Sequence, residues 1–281
     1  MKKITCLLLV FTIAMINFFP CSAIAADYAH TSSAIVNEYD YLQNLSNSSD
    51  SMLSENGYSA SDITLIRDLK ESYVNHLNQY ARLSTSALKN LGYSQKQISI
   101  FRNFSGSEDE IRALAATLNF SLSIDYVTWS STSNRTNARL VYNFSWSGVP
   151  WIKTTDSVAV SWNDWTINGK SSYVTYSNIN GTGNSYSLSA TYVSNSGPSS
   201  YGGGYKFAMT QDDNNYWAQS GYGIFTLYHN YAMADLSAYA QYGHSTISVT
   251  PGFSIPGYGS ISFTYGTSMA GEDWADLSCQ S

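Results

Sequence analysis

The spacing of apolar residues changes from a helical to a strand period along this chain. After Ser59, apolar residues recur every three or four positions, which places them along one stripe of a helix. From Leu118, apolar and polar residues alternate as they do on the two faces of a β-strand. The helical stripe consists of Ile63, Ile66, Leu69, Tyr73, Leu77 and Tyr80. The change of period near Thr117 predicts a helical segment followed by a β-rich one.

The front segment carries regular helix start and stop residues. Three pairs have the spacing of a capping box, in which a serine caps a helix and an acidic or amide side chain three residues later bonds back to it. Gly57 and Gly92 suit helix ends in the left-handed conformation. The predicted boxes are Ser59 with Asp62, Ser94 with Gln97, and Ser107 with Glu110. Together these residues predict three or four helices, roughly at 32–48, 60–90, 95–104 and 108–116.

The back segment alternates most clearly over 118–126 and 138–146, which predict two amphipathic strands. The later stretches are less regular and raise the expected total to about nine strands. Asn168-Gly169 predicts a tight hairpin turn, because both turn positions need positive φ. The predicted fold class is α+β, mainly β. A helical N-terminal segment of three to four helices precedes an antiparallel β-sandwich or barrel of about nine strands.

The first 25 residues have the pattern of an export signal. Lys2 and Lys3 precede a mostly apolar run, and Ala23-Ile24-Ala25 forms a small-x-small cleavage site. Cleavage after Ala25 is therefore expected, and the protein is predicted to be secreted. The predicted organisation is a signal peptide over 1–25, a helical segment over 26–116 and an antiparallel β domain over 117–281.

Net charge and cysteine content limit the classes of binding partner and the covalent links that are expected. Loss of residues 1–25 leaves 12 basic and 20 acidic side chains, a formal net charge of −8. A negative chain disfavours nucleic acid and anionic membrane surfaces as partners. Cleavage also removes Cys6 and Cys21, so that Cys279 remains as a free thiol and no intramolecular disulfide is expected.

Aromatic residues give the main candidate ligand-binding surface. Tryptophan rings near predicted turns are expected to be exposed, and rigid rings beside Ser, Asn and Gly are typical of binding surfaces. Stacking on carbohydrate would use those rings. The candidates are Trp151, Trp165, Trp217 and Trp274.

Metal and catalytic chemistry have weaker support in the sequence. Asp212 and Asp213 stand beside two asparagines, so that four oxygen donors in one turn make a candidate calcium site, although EF-hand spacing is absent. No other cofactor is expected. The four histidines have no metal-ligand spacing, and the sequence assigns no catalytic residue. The balance favours a protein that is not an enzyme.

Three functions remain open, in this order. The first is a non-catalytic binding or surface-interaction module for glycan, for a cell surface or for other copies of the chain. The second is a membrane-active β-barrel or pore-forming protein, because strands of period two also suit a lipid-facing wall. The third is a secreted hydrolase. The direction of the Phe120, Leu140 and Trp146 side chains distinguishes the first two functions. In a binding module they point into the core, and in a membrane-active barrel they point outward.

Overall fold

The computed structural model describes residues 30–194, 201–232, 235–245 and 253–263. The predicted signal peptide, Trp274 and Cys279 lie outside these ranges. Seven helices lie in the described part of the chain: α1 Glu38–Ser46, α2 Asp50–Glu55, α3 Ala60–Arg67, α4 Leu69–Ala81, α5 Thr85–Asn90, α6 Gln95–Phe101 and α7 Glu108–Leu114.

The described residues also contain thirteen strands. In chain order they are β1 His30–Asn37, β2 Thr117–Ser130, β3 Arg135–Ser147, β4 Thr155–Trp162, β5 Thr166–Asn178, β6 Ser185–Ser189, β7 Thr191–Ser194, β8 Gly202–Ala208, β9 Thr210–Gln211, β10 Tyr216–His229, β11 Ala238–His244, β12 Phe253–Gly257 and β13 Ser260–Phe263. The chain is therefore mostly β, and every strand pairing is antiparallel.

The local helix signals are confirmed. All three predicted capping boxes form, at Ser59, Ser94 and Ser107. Gly57 and Gly92 have φ values of 86° and 88°, in the left-handed region where a side chain is strained. A cap of this kind stabilises a helix by about 1 kcal/mol, so the three boxes fix where α3, α6 and α7 begin.

Helix number and the first element differ from the expectation. The stripe predicted as one helix over 60–90 is three helices, α3, α4 and α5, and the first break falls at Asp68, which ends α3 and precedes α4. Residues predicted to begin a helix near 32 instead form β1. Its alternation is weak, but β2 offers an open edge to which all eight residues of β1 pair in continuous register. Tertiary pairing thus overrides local propensity.

The strands form two main sheets and one hairpin. The larger sheet has seven strands in the order β1-β2-β3-β10-β5-β6, with β9 also paired to β10. The smaller sheet has four strands in the order β11-β4-β8-β7, and β12 pairs with β13. Strand β10 lies between β3 and β5 although it comes much later in the chain, so its position depends on contacts between distant residues.

The two amphipathic strands are confirmed as β2 and β3, whose apolar residues are buried at alternate positions. The alternation stops at Ile124, where a register shift turns Tyr126 outward. The predicted turn at Asn168-Gly169 is wrong. Both residues lie within β5, and a bulge occurs in the pairing of Gly169 and Ile167 with β10.

Aromatic rings from the two main sheets contact each other in the core. Phe144 stacks on Phe207 with centroids 5.0 Å apart, and Trp162 lies 5.1 Å from Phe225. On β10, Gly221 and Gly223 leave room for the rings of the neighbouring strand. A Cβ at Gly221 would lie 2.4 Å from the Phe144 ring, and one at Gly223 would lie 2.2 Å from the Tyr142 ring. Glycine is required there by close approach.

The helices share the same core as the sheets. Only Ala115 and Ala116 separate α7 from β2, and both are buried. One hydrophobic cluster includes residues of α4, α6 and α7 together with residues of both main sheets. Polar contacts add to it, since Asn90 donates from its amide to the carbonyl of Gly181 at 2.9 Å. The helices are therefore packed against the sheets directly.

Candidate functional site

The outer face of the seven-stranded sheet, opposite the aromatic core, carries a polar groove with a volume of about 400 Å³. Its position follows from the pleat: residues alternating with the buried ones on β1, β2, β3, β10 and β5 point to this face. The outward side chains that line the groove are Ser33, Ile35, Asn119, Ser121, Asn143, Ser145, Thr175, Ser220 and Tyr222. We call this set the tyrosine groove.

Strand register arranges the tyrosine groove in two rows that run across the sheet. One row joins Ile35, Asn119, Ser145, Ser220 and Thr175 through successive strand pairings. The next row joins Ser33, Ser121, Asn143 and Tyr222 in the same way, and Tyr173 continues this row on β5 next to the groove lining. With strands about 4.8 Å apart, five strands give a groove roughly 19 Å long.

Tyr222 and Tyr173 form an exposed aromatic pair on the second row. Their ring centroids lie 5.7 Å apart with an angle of 37° between the rings. The two side chains are 42% and 41% exposed. The exposed part of each ring presents a rigid apolar surface to a ligand at little entropic cost.

The polar side chains of the tyrosine groove are available for hydrogen bonds. Within the described ranges, those of Asn119, Ser121, Asn143 and Ser145 have no hydrogen-bond partner. The lining includes no Asp, Glu, Lys, Arg or His. Amide and hydroxyl groups beside tyrosine rings can bind a neutral ligand that has both hydroxyl groups and apolar faces.

The predicted tryptophans that lie in the described ranges do not form this surface. Trp165 and Trp217 are fully buried, so the expectation that they are exposed is wrong. Trp165 folds inward from the short connection after β4, and its indole N–H donates to the carbonyl of Asp235 at 3.1 Å. Trp217 precedes a bulge on β10 and belongs to the main core. A turn nearby therefore does not imply exposure.

Trp151 is half-buried and packs on the core, with its ring 5.9 Å from that of Tyr73. Trp129, which is not among the predicted site residues, is 40% exposed near the far end of β2. Trp274 lies outside the described residues. Trp151, Trp165 and Trp217 do not line the tyrosine groove, whose exposed ring is that of Tyr222, with Tyr173 beside it on β5.

Asp212 and Asp213 lie in the turn between β9 and β10. Both have positive φ, 51° and 53°, as does Asn214 at 68°. Asp212 accepts a hydrogen bond from the hydroxyl of Tyr186 at 2.9 Å, which uses one of its oxygens. Across the described ranges, no three His, Cys, Asp or Glu side chains are grouped so that they could hold a metal ion. Calcium binding at this turn stays a prediction.

A buried ionic network joins the first helix to the smaller sheet. Glu38, the first residue of α1, is fully buried and accepts hydrogen bonds from Tyr73 at 2.6 Å, from the Trp151 N–H at 2.9 Å and from the Ile152 N–H at 3.1 Å. Its Oε1 lies 3.6 Å from Nε2 of His244. Nothing in the sequence distinguishes Glu38 from an ordinary acidic residue at a helix start.

His244 on β11 connects Glu38 to Asp156 on β4. Its Nδ1 lies 2.8 Å from Asp156, and both side chains are fully buried. Burial alone would lower the pKa of His244, but Asp156 and Glu38 raise that pKa to about 10, so the imidazole is charged. Burial alone would raise the pKa of Glu38, but His244, Tyr73 and Trp151 hold it below its usual value.

The Asp156–His244 pair resembles the orienting half of a catalytic triad, but its surroundings do not suit catalysis. The second ring nitrogen of His244 faces the carboxylate of Glu38, where a triad would place a nucleophile. No member of the network is exposed, and none lines the tyrosine groove. The network therefore holds α1 against β4 and β11.

Comparison with known proteins finds only weak structural likenesses. No known family and no curated protein matches the sequence. Among solved structures, a chain titled "Pore forming protein" shows 9% identity, with a TM-score of 0.26, over 46% of this chain and 73% of its own length. Another, titled "pH-induced modulation of Streptococcus parasanguinis adhesion by Fap1 fimbriae", shows 9% identity, with a TM-score of 0.22, over 54% and 74%. Likenesses this weak carry no argument about function.

None of the helices in the described part of the chain is both long and apolar enough to cross a membrane.

Proposed function

We propose that this chain is a secreted, non-catalytic binding module that holds a neutral carbohydrate in the tyrosine groove of a β-sandwich. The observation that supports this function best is the exposed Tyr173–Tyr222 pair beside unpaired Asn and Ser side chains. Sugars present hydroxyl groups to amides and C–H faces to aromatic rings, and both kinds of partner are present on one surface.

The absence of charged side chains from the groove lining supports a neutral ligand. The lining residues carry no charged side chain, so a phosphate or a carboxylate would find no countercharge there. Arg135 and Arg139 lie further along β3, where Arg135 lies 4.3 Å from the centre of the Tyr228 ring and Arg139 is paired with Asp125 at 3.1 Å. A neutral oligosaccharide fits this environment better than an anionic polymer.

The direction of the apolar strand faces supports a sandwich. Phe120, Leu140 and Trp146 are buried, and the Phe120 ring lies 5.8 Å from that of Tyr242 in the smaller sheet. A lipid-facing wall would turn these side chains outward. Adding the 26–281 chain to dye-loaded liposomes tests the membrane-active alternative, and dye release would contradict the proposed function.

Tyr222→Ala is expected to weaken carbohydrate binding about 30-fold, because truncating a central aromatic contact costs about 2 kcal/mol. Tyr126→Ala is the matched control, since Tyr126 is 36% exposed on the same sheet but does not line the groove. Binding would be screened on a neutral-glycan array with the 26–281 chain and quantified by calorimetry. Equal affinity in the two variants, or no bound glycan, would contradict the proposal.

A second pair of variants tests the polar contacts. Asn143→Ala removes an unpaired amide from the groove, whereas Asn137→Ala changes the same residue type on the same strand outside it. Only the first is expected to lower affinity. Thermal unfolding of all four variants would show whether a loss of binding reflects the surface or the fold.

A further inference from the structure

Strand β1 leaves one edge of the seven-stranded sheet open in the described part of the chain. It pairs with β2 over eight residues without a bulge, and on its other side no described strand follows. Residues 31–36 contain no charged side chain and no proline, the usual devices that block an edge. Ile35 on this edge is 72% exposed.

The backbone groups that face outward at this edge can be identified. The N–H of Glu38 bonds to the carbonyl of Ala116 at 2.9 Å, so every second residue before it on β1 bonds to β2. The residues between them turn their N–H and C=O groups away from β2. These outward-facing residues are Thr31, Ser33 and Ile35, whose side chains also lie on the outer face of the sheet.

We propose that β1 pairs antiparallel with β1 of a second copy of this chain, with Ser33 facing Ser33 across a two-fold axis. This register pairs Thr31 with Ile35 in both directions and uses all three outward-facing residues. Asn37 is left out because it caps α1, where the chain leaves the sheet. Each facing pair exchanges two hydrogen bonds.

A second copy suits this edge better than a charged partner. Self-pairing brings no like charges together, because residues 31–36 are uncharged. It also covers Ile35, whose apolar side chain is otherwise in solvent. An isologous contact of this kind closes at two copies and does not grow into a fibre.

Pairing at β1 would extend the tyrosine groove. Ser33 ends one of its rows at the sheet edge and would face Ser33 of the second copy, so that row would continue across the two-fold axis. A long oligosaccharide could then bind both copies. The dimer itself depends on strand geometry alone and does not require the proposed function.

One strand pairing buries less surface than a standard interface, so we expect a weak dimer with a dissociation constant on the order of 100 µM. Sedimentation velocity of the 26–281 chain over a range of concentrations up to about 1 mM would measure it. Ser33→Pro is expected to leave a monomer at every concentration. Proline there removes an outward N–H that β2 does not use, so the fold should be retained.

Ser187→Pro is the matched control at the opposite edge. The N–H of Asn178 bonds to the carbonyl of Asn184, so Ser187 on β6 also turns its backbone outward. This variant is expected to dimerise like the parent chain. Loss of association in both variants would indicate pairing between β1 and β6 and contradict the proposal, as would a monomeric parent chain.

Covalent trapping tests the register without reliance on affinity. In a Cys279→Ser background, Ser33→Cys is expected to form a disulfide-linked dimer under mild oxidation, because facing Cα atoms about 5.5 Å apart suit a disulfide. Ser187→Cys in the same background should remain largely unlinked. Equal rates of cross-linking would overturn the proposed register. Thr31→Pro blocks the same edge without changing a residue of the tyrosine groove, so glycan binding by a monomeric Thr31→Pro chain would leave the proposed function intact, and the two proposals fail separately.

Discussion

Glu38→Ala is expected to lower the free energy of unfolding by about 3–5 kcal/mol, the usual cost of removing one partner from a buried ion pair. The substitution leaves the N–H groups of Trp151 and Ile152 without their acceptor and leaves charged His244 facing a cavity. Because these groups are buried, bulk water does not satisfy them as it would at the surface. Urea unfolding followed by tryptophan fluorescence would measure the change.

Asp40→Ala is the matched control for Glu38→Ala. Asp40 lies on the same helix and is ion-paired with Arg112 at 2.6 Å, but both side chains are partly exposed. Exposed pairs contribute at most about 1 kcal/mol, so only a small loss of stability is expected. If the two variants lost equal stability, the claim that α1 is held by a buried network would be wrong.

The free energy of unfolding is expected to peak near the ordinary pKa of histidine, about 6.5, and to fall on both sides. His244 has its pKa raised to about 10, so it binds a proton in the folded state that the unfolded state loses above 6.5. Its contribution is complete below 6.5 and is lost as the pH rises towards 10. The decline should approach about 1.4 kcal/mol per pH unit.

Two groups cause the free energy of unfolding to fall below pH 6.5. Burial, with Lys153 nearby, lowers the pKa of His76 to about 4, so the unfolded chain gains a proton between pH 6.5 and 4 that the folded chain does not. Glu38 has a lowered pKa, and its contribution is lost as the pH falls below 4.5. Both groups reduce stability in acid.

Urea titrations between pH 4 and 10 would test the pH profile. His244→Gln should flatten the alkaline decline and also change the acid side, because it removes the group that lowers the pKa of Glu38, whereas His76→Gln should change the acid side alone. Stability that rises steadily to pH 9 in the parent chain would contradict the charged state assigned to His244.

Local signals in the sequence identify the elements that depend on neighbouring residues. The serines at 59, 94 and 107 form their capping boxes because each box uses groups only three residues apart. The alternation over 118–124 likewise places Leu118, Phe120, Leu122 and Ile124 on the buried face. The spacing of apolar residues and the helix-capping residues are enough to predict such features.

Features that depend on distant residues could not be predicted in this way. Strand β1 exists because β2, about ninety residues later, offers an edge to it. The burial of Glu38 depends on β4 and β11, and no property of residues 36–40 indicates it. Trp165 and Trp217 are buried because elements distant in sequence cover them.

The outward direction of the Tyr222 side chain could have been predicted from the sequence. Gly221 and Gly223 have the same parity as the buried Phe225 and Leu227, which places Tyr222 on the opposite, outer face of β10. What the sequence could not give is that β3 and β5 would flank β10 and bring Asn143 and Tyr173 to either side of that ring.

The most direct test of the carbohydrate proposal is a ¹³C NMR titration of tyrosine-labelled 26–281 chain with neutral oligosaccharides from the array. Ring signals of Tyr173 and Tyr222 are expected to shift together and saturate, while those of Tyr126 and Tyr231 stay in place. Both pairs are exposed, so exposure alone cannot explain a difference. Shifts confined to tyrosines other than Tyr173 and Tyr222, or no shifts with any neutral glycan, would contradict the proposed function.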